Sequence, residues 1–372
     1  MNKELMLKSA LAGAMTLGLA QPAFAVTDEE FKTLQDQFNQ LADQVESNSN
    51  NSTSNTTVGG YGELHYNNTS NGESGAARKE KRELDLHRFV LFVNHEFNDD
   101  IRFFSEFEIE HAIAGEEQVG EVEVEQAYVQ FDLNDSTQLN AGVFLLPVGI
   151  LNETHEPPTF YGVERNPVEK NIIPATWWEG GAMLSGQSNS GVSYDVAITS
   201  GLDGGTDIRG GRQKTGKASA RNLALTGRVK YTGVAGLELA GTVSLQDDMT
   251  QDSTDDIDGA TLIEAHARYN VSDVTLTALF ATWDIDGDGA SAANKDTQDG
   301  GYVEASYKIT PKFGVFARQN EWSNEDNIDK SQTDVGFNYW PHEDVVVKFD
   351  YQAQNDDAGN QDGFNLGLGY QF

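Results

Sequence analysis

The chain has 372 residues, 37 glycines, 8 prolines, no cysteine and a formal charge of −34. Without cysteine, neither a disulfide framework nor a thiolate metal centre can form, and so acidic a chain lacks the basic footprint that nucleic acid requires. No apolar run approaches the roughly 20 residues of a membrane helix, so glycine-rich sequence with 10% aromatic residues points to an outer-membrane barrel or a secreted β-protein.

The first residues read as an export signal. Lys3 and Lys8 precede a short apolar run from Ala10 to Ala20, and Ala23-Phe24-Ala25 is a small-residue cleavage site. The expected signal peptide is 1–25. From 26 to 46 the pattern turns helical: Phe31, Leu34, Phe38, Leu41 and Val45 alternate at spacings of three and four, the seam of a coiled coil. Thr27 and Glu30 form a capping box at its start. A lone helix with so narrow a stripe is marginal in water. Two readings follow: a periplasmic oligomerisation stalk that also reaches peptidoglycan, or a helix packed on its own barrel. The polar run 47–57 is a flexible linker.

From Val58 to Phe372, sixteen alternating segments follow, at 58–67, 83–97, 100–113, 119–132, 136–147, 180–187, 191–200, 221–232, 236–246, 258–270, 273–284, 299–309, 312–322, 332–340, 344–354 and 362–372. Tight turns such as Asn98-Asp99 and Thr310-Pro311 alternate with long connections such as 148–179 and 201–220. An even strand count with tight turns at one end and long loops at the other is the plan of an outer-membrane barrel. The expected fold is therefore all-β: a 16-stranded antiparallel transmembrane β-barrel.

Alternation supports an inverted interior. In the last segment Phe364, Leu366, Leu368, Tyr370 and Phe372 share one face, and Asn365, Gly367, Gly369 and Gln371 the other. A barrel of this size is too wide for side chains to fill, so the polar face turns to water inside and the apolar face to lipid and lipopolysaccharide. Phe97, Phe131, Tyr231, Tyr269, Tyr307, Tyr339 and Phe372 close strands at the short-turn end, as an aromatic girdle does. The terminal Phe372 also fits the signal read by the barrel-assembly machinery.

The segment 148–179 holds four of the eight prolines and two of the five tryptophans. Loops this long in a compact plan are usually functional, and the prolines stiffen it. Folded into the lumen, it would put Glu153, Glu156, Glu164, Arg165, Glu169 and Lys170 in the narrowest water, where fields are strongest. Trp177 and Trp178 would anchor it to the wall or stand at the mouth. Alternation puts Arg88, Arg102, Arg228, Lys230, Arg268, Lys308, Arg318 and Lys348 on the lumen wall as a basic set. Glu106, Glu108, Glu110, Glu121, Glu123 and Glu125 form the opposing acidic set. The two signs leave selectivity open, with mutual neutralisation as a further reading.

The stretches VEVEQAYVQFDL, LNAGVFLLPVGILNETHEPP and NIIPATWWEGGAMLSG resemble the phosphate-selective porin O/P family. That resemblance implies a trimeric, sixteen-stranded outer-membrane porin of a Gram-negative bacterium whose third loop folds into the pore. The stalk is similar to that of related siderophore-uptake porins. The expected function is passive diffusion of small hydrophilic solutes, with a phosphate or iron-chelate channel, or an outer-membrane to cell-wall tether, as alternatives.

Asp284, Asp286 and Asp288 have the opening spacing of an EF-hand loop, but Lys295 stands where the bidentate Glu belongs. A solvated acidic loop and a loosely held Ca2+ are the two readings, and no other cofactor is expected. No HExxH or G-x-S-x-G motif appears, so a channel rather than an enzyme is expected.

Overall fold

The computed structural model describes residues 55–73, 79–252, 256–326 and 328–372. The expected signal peptide, the coiled stalk and most of the linker lie outside the described residues. Thr56 and Thr57, read as the end of the linker, already belong to the first strand.

Sixteen strands close into one antiparallel barrel. They are β1 (Thr56–Ser70), β2 (Glu80–Asn98), β3 (Ile101–Glu110), β4 (Val122–Asn134), β5 (Thr137–Leu145), β6 (Trp178–Gln187), β7 (Val192–Thr199) and β8 (Ala224–Tyr231). The second half is β9 (Leu237–Gln246), β10 (Ala260–Val271), β11 (Val274–Ile285), β12 (Thr297–Thr310), β13 (Phe313–Ser323), β14 (Lys330–His342), β15 (Val345–Gln354) and β16 (Asp362–Gln371). Each strand pairs with its sequence neighbours, and β1 closes on β16 with Tyr61 opposite Gln371. At the seam the backbones of Gly60 and Phe372 exchange two hydrogen bonds of 2.9 Å.

Local chemistry sets the ends. Asn98 and Asn134 each turn a side-chain oxygen onto the amide two residues on, at 2.9 and 3.0 Å, and so close two-residue turns. Several strand ends differ from the sequence reading by up to three residues. The third strand stops at Glu110 rather than 113, because His111 and Ala112 both take positive φ, 54° and 60°.

The inversion is present. On β16, Leu366 and Leu368 are 43% and 41% exposed on the outer face, while Asn365 is buried on the inner one. The inside is not polar throughout, however. In the long-loop half, Leu262, Leu279, Ala281, Trp283, Tyr302 and Trp322 project inward and form an apolar patch. Alternation alone assigns that wall to water; it is apolar because a loop packs on it.

Beyond the register shifts beside the short turns, two β-bulges break the alternation within the strands. Glu63 pairs with Arg88 but Leu64 pairs with Leu86, so His87 is the extra residue of β2. Glu106 pairs with Gln126 but Phe107 pairs with Val124, so Glu125 is the extra residue of β4. A bulge re-aims side chains. Here each sets two consecutive residues, His87-Arg88 and Glu125-Gln126, against lumen groups.

The outer face yields a direct test. Val243, 41% exposed halfway along β9, is expected to sit near the bilayer midplane. Val243→Lys should then cost about 2–4 kcal/mol, read from urea titrations of the barrel in lipid vesicles. A cost near zero would mean that this face does not meet hydrocarbon.

Candidate functional site: the constriction

The chain between β5 and β6 leaves the wall and crosses the lumen. Asn152 clasps its neck: its Nδ2 donates to Leu146 O (2.7 Å) and Trp177 O (2.9 Å), and Trp177 N donates back to Oδ1 (2.6 Å). Beyond the neck a 3-10 turn, Pro157–Thr159, and a short helix, α1 (Val168–Asn171), shape the loop.

Glu169 is its central tie. The carboxylate is fully buried and accepts from Ile150 N (2.8 Å), Leu151 N (2.6 Å) and the Tyr302 hydroxyl of β12 (2.7 Å). Around it Val168, Ile172 and Ile173 pack into the apolar patch of the wall, and Trp283 Nε1 donates to Ile172 O at 2.8 Å. Burying each such side chain is worth about 1.5–3 kcal/mol. Trp177 joins the same cluster, its ring 6.1 Å from that of Trp283.

The far tip is held by the opposite wall. Asn338 donates to Phe160 O (2.9 Å), Lys348 Nζ to Gly162 O (2.9 Å) and Arg318 Nη1 to Tyr161 O (3.3 Å). Val163 N donates to Asp350 at 2.6 Å, and Asn67 Nδ2 of β1 donates to Glu164 at 2.9 Å. The loop therefore spans the lumen from β5 to β13–β16 and β1.

Beside it a cavity of about 220 Å³ remains, bounded by the loop, by β1–β4 and by residues 200–223, the connection from β7 to β8. That second loop brings Arg209, Arg212 and Lys214 to the cavity. Arg209 Nη1 donates to Lys170 O (3.0 Å) and Ala175 O (2.8 Å), while Arg212 donates to Arg209 O (3.1 Å) and Thr176 O. Both guanidinium groups also stay close to the first loop, and Arg212 stacks 5.9 Å from the Trp178 ring. A second cavity, about 310 Å³, lies towards the short turns and is lined by Arg268, Glu304, Lys308 and Arg318. Phe160 lines both.

The expected constriction residues divide. Glu164, Arg165 and Lys170 line the 220 Å³ cavity. Glu153 instead pairs with Arg228 of β8, Glu156 opens the 3-10 turn, and Glu169 is sealed from water. A carboxylate that satisfies two loop amides and a hydroxyl has no orientation left for solvent. Enclosure pushes the Glu164 carboxyl up, but the hydrogen bond and charge of His65, aided by Lys170, hold it well below the ordinary carboxylate range.

The wall charges are largely neutralised in pairs. Arg88 meets Glu63 (2.9 Å) and Glu108 (3.6 Å), and Arg318 meets Glu304 (3.0 Å) and Asp334 (3.2 Å). Arg228 also reaches Asp195 (2.7 Å), Arg102 pairs with Asp132, and Lys230 lies 4.0 Å from Glu238. Lys308 and Lys348 stand over the Trp340 and Phe160 rings. Of the acidic set, Glu110 and Glu123 line the cavity, Glu121 and Glu123 hold Lys214, and Glu106, Glu108 and Glu125 are buried.

Four cavity cations stand apart from this pairing. Among the described residues no carboxylate lies within 4 Å of Arg165, Lys170, Arg209 or Arg212. Enclosure, then repulsion from Arg212 and Arg165, pulls Arg209 down to about 9. Arg165 is lowered too, by enclosure first and then by Arg88.

Sequence reasoning missed Arg209, Arg212 and Lys214, although 209–221 concentrates basic residues in an acidic chain. It also missed the histidines. His65 and His87 stack at 4.6 Å, His87 and His111 meet at 5.6 Å, and Asp85 joins the last two at 3.2 and 2.8 Å. Extending the β1 alternation from Glu63 would have put His65 on the lumen wall. Asp284 ends up within β11, whereas Asp286 and Asp288 line an outward acidic cavity of about 860 Å³ beside the short helix α2 (Asp288–Ala292).

The profile of Gram-negative porins matches residues 10–372. The chain belongs to the Gram-negative porin family. It is thus an outer-membrane channel for passive diffusion. A curated relative, an uncharacterized protein of Aquifex aeolicus, is 28% identical over an alignment of 365 positions that covers 85% of this chain and 80% of the relative. The anion-selective porin from Comamonas acidovorans shares the fold at a TM-score of 0.59 and 11% identity, over 86% of this porin and 100% of that chain. The OmpT outer-membrane protein of Vibrio cholerae, in a trimer form, gives a TM-score of 0.56 at 12% identity, over 85% and 99% of the two chains.

The buried carboxylate is the testable part of the docked loop. Glu169→Ala strands two amides and a hydroxyl, at about 1–3 kcal/mol for each buried group left unpaired. Hydrogen exchange at 150–173 should then speed up by at least about tenfold while the barrel strands keep their protection. Unchanged exchange would show that this carboxylate is not what ties the loop.

Proposed function

We propose that this porin is an anion-preferring diffusion channel whose constriction is set by the two inward loops. The observation that carries the reading is the set of four cavity cations without a carboxylate partner, Arg165, Lys170, Arg209 and Arg212. Around the same cavity Glu63 and Glu164 face His65, Arg88 or Lys81, and Glu123 holds Lys214, which leaves Glu110 as the carboxylate without an ion-pair partner among the described residues. In narrow water an uncompensated charge acts at close range and selects its counterion. Mutual repulsion among the arginines favours an entering anion further, because the anion relieves it.

The chain's charge of −34 does not oppose this. Part of the acidic surplus lies in the long connections, as at Asp247, Asp256 and Asp258, and at physiological salt fields decay over about 8 Å. Convergence of four cations also supports the finer reading, a phosphate-type channel like the O/P porins that the loop sequence resembles. The trimer form of the Vibrio protein supports a homotrimer here.

Reversal potentials across a KCl gradient in planar bilayers test the proposal. Wild-type channels should favour Cl− over K+ by at least about threefold, and the triple variant Arg165→Glu, Arg209→Glu, Arg212→Glu should reverse the preference. A cation-preferring wild type, or a triple variant with wild-type selectivity, would refute it. Block of chloride current by millimolar phosphate would favour the phosphate channel over general anion diffusion.

A further inference from the structure

Beneath the loop lies a group that the constriction does not use. His155 meets Glu106 of β3 and Glu125, the bulge residue of β4, and all three are at most 3% exposed. Their ligand atoms lie within 4.8 Å of one another. His155 Nδ1 is 3.2 Å from Asn152 O, a contact in which Nδ1 donates, so that in the neutral ring the lone pair is on Nε2. Nε2 then faces Glu106 Oε1 at 3.5 Å and Glu125 Oε2 at 3.7 Å. These separations are too long for hydrogen bonds. His155 Nε2 and Glu125 Oε2 are both buried without a hydrogen-bond partner among the described residues.

Three acceptors turned on one point repel one another unless a cation lies between them. An ion holding N and O ligands at about 2.0–2.2 Å in a tetrahedron separates them by about 3.4 Å, close to the two distances here. Two carboxylates and a neutral imidazole match the charge of a dication, and Arg88, 3.6 Å from the neighbouring buried Glu108, offsets that third carboxylate. Among the described residues, His155 is the one basic side chain within ion-pair distance of Glu106 or Glu125. An outer ring of donors fixes the carboxylates, with Gln126 on Glu106 Oε2 (2.7 Å), the Tyr61 hydroxyl on Oε1 (3.3 Å) and Thr176 on Glu125 Oε1 (2.9 Å). Such outer partners are what orient metal ligands.

We propose that Glu106, Glu125 and His155 bind one divalent transition-metal ion of the Zn2+ class, which clamps the inward loop to β3 and β4. One nitrogen and two carboxylate oxygens suit Zn2+, Co2+ or Mn2+, with a fourth position open. The clamp is independent of which solute crosses the pore.

Porin stripped with EDTA, reloaded with Zn2+ and passed through gel filtration in detergent should retain one Zn2+ per protomer. Co2+ in its place should give the visible absorption of a low-coordinate site. Glu125→Gln, which keeps the side-chain shape, and His155→Ala should each weaken binding by more than about 100-fold, beyond the 10–100-fold of outer-shell changes. His342→Ala, in the exposed His342–Glu343–Asp344 group, should not. Heat-modifiable gel mobility confirms that each variant is folded. Zn2+ should also slow amide exchange at 150–156 in the wild type and not in the variants. A wild type that retains no stoichiometric metal, with His155 a protonated partner of the two carboxylates instead, would overturn the site. So would undiminished binding in Glu125→Gln and His155→Ala. Chloride preference in the same preparation reports separately on the proposed function.

Discussion

A barrel of sixteen strands encloses more space than its own side chains can fill, so whatever narrows it must be held there against water. Here that constraint is met by docking the 146–177 connection on an apolar interior wall. Trp283, Leu279, Leu262 and Tyr302 would be misplaced in an open aqueous channel, yet they are buried in one cluster with Ile172, Ile173 and Val168 of this loop and Leu202, Ile208 and Met249 of neighbouring connections. Glu169 lets the polar backbone of the loop accompany those side chains into the interior, since it satisfies two amides that would otherwise be orphaned. The opposite wall then needs only hydrogen bonds to the tip, which Asn338, Lys348 and Asp350 supply.

Once the loop is fixed, the electrostatics follow from which charges find partners. Wall arginines such as Arg88, Arg228 and Arg318 are pinned between carboxylates and serve largely as structure. At the 220 Å³ cavity the cations that remain uncompensated come from the two loops, where Arg209 and Arg212 bind carbonyls instead of carboxylates. A carbonyl orients an arginine without cancelling its charge. The same loops that narrow the pore therefore supply its field, and a chain of strongly negative overall charge can present a positive throat.

The barrel could be read from the residues because its signals are local and repeated. Alternation and the sorting of short and long connections recur around the ring, and all sixteen strands overlap the segments that they predict. The stiff loop was equally visible from its prolines. Side-chain roles within it were not, because they depend on what lies across the lumen. Glu169 and Glu164 look alike in sequence, but one meets Tyr302 and two amides while the other meets His65 beside the cavity. Bulges cannot be read from alternation either. An extra residue at His87 or Glu125 shows only when the partner strand is counted against it, and those positions add the inward groups near the constriction. Arg209 and Arg212 belong to a loop with no regular strand or helix, so no periodicity pointed to them.

A disulfide across the lumen measures the docked loop most directly. Val163 at the loop tip lies against Gly367 of β16, with its methyl carbons 3.2 and 3.3 Å from where a Cβ on that glycine would stand. The protein has no cysteine of its own, so Val163→Cys with Gly367→Cys introduces a single pair at a spacing that suits a disulfide. Oxidation of the folded protein in outer membranes should give near-complete intramolecular cross-linking, seen as a mobility shift reversed by reductant. Free thiols that stay open to membrane-impermeant maleimide after oxidation would place the loop outside the lumen and contradict the account.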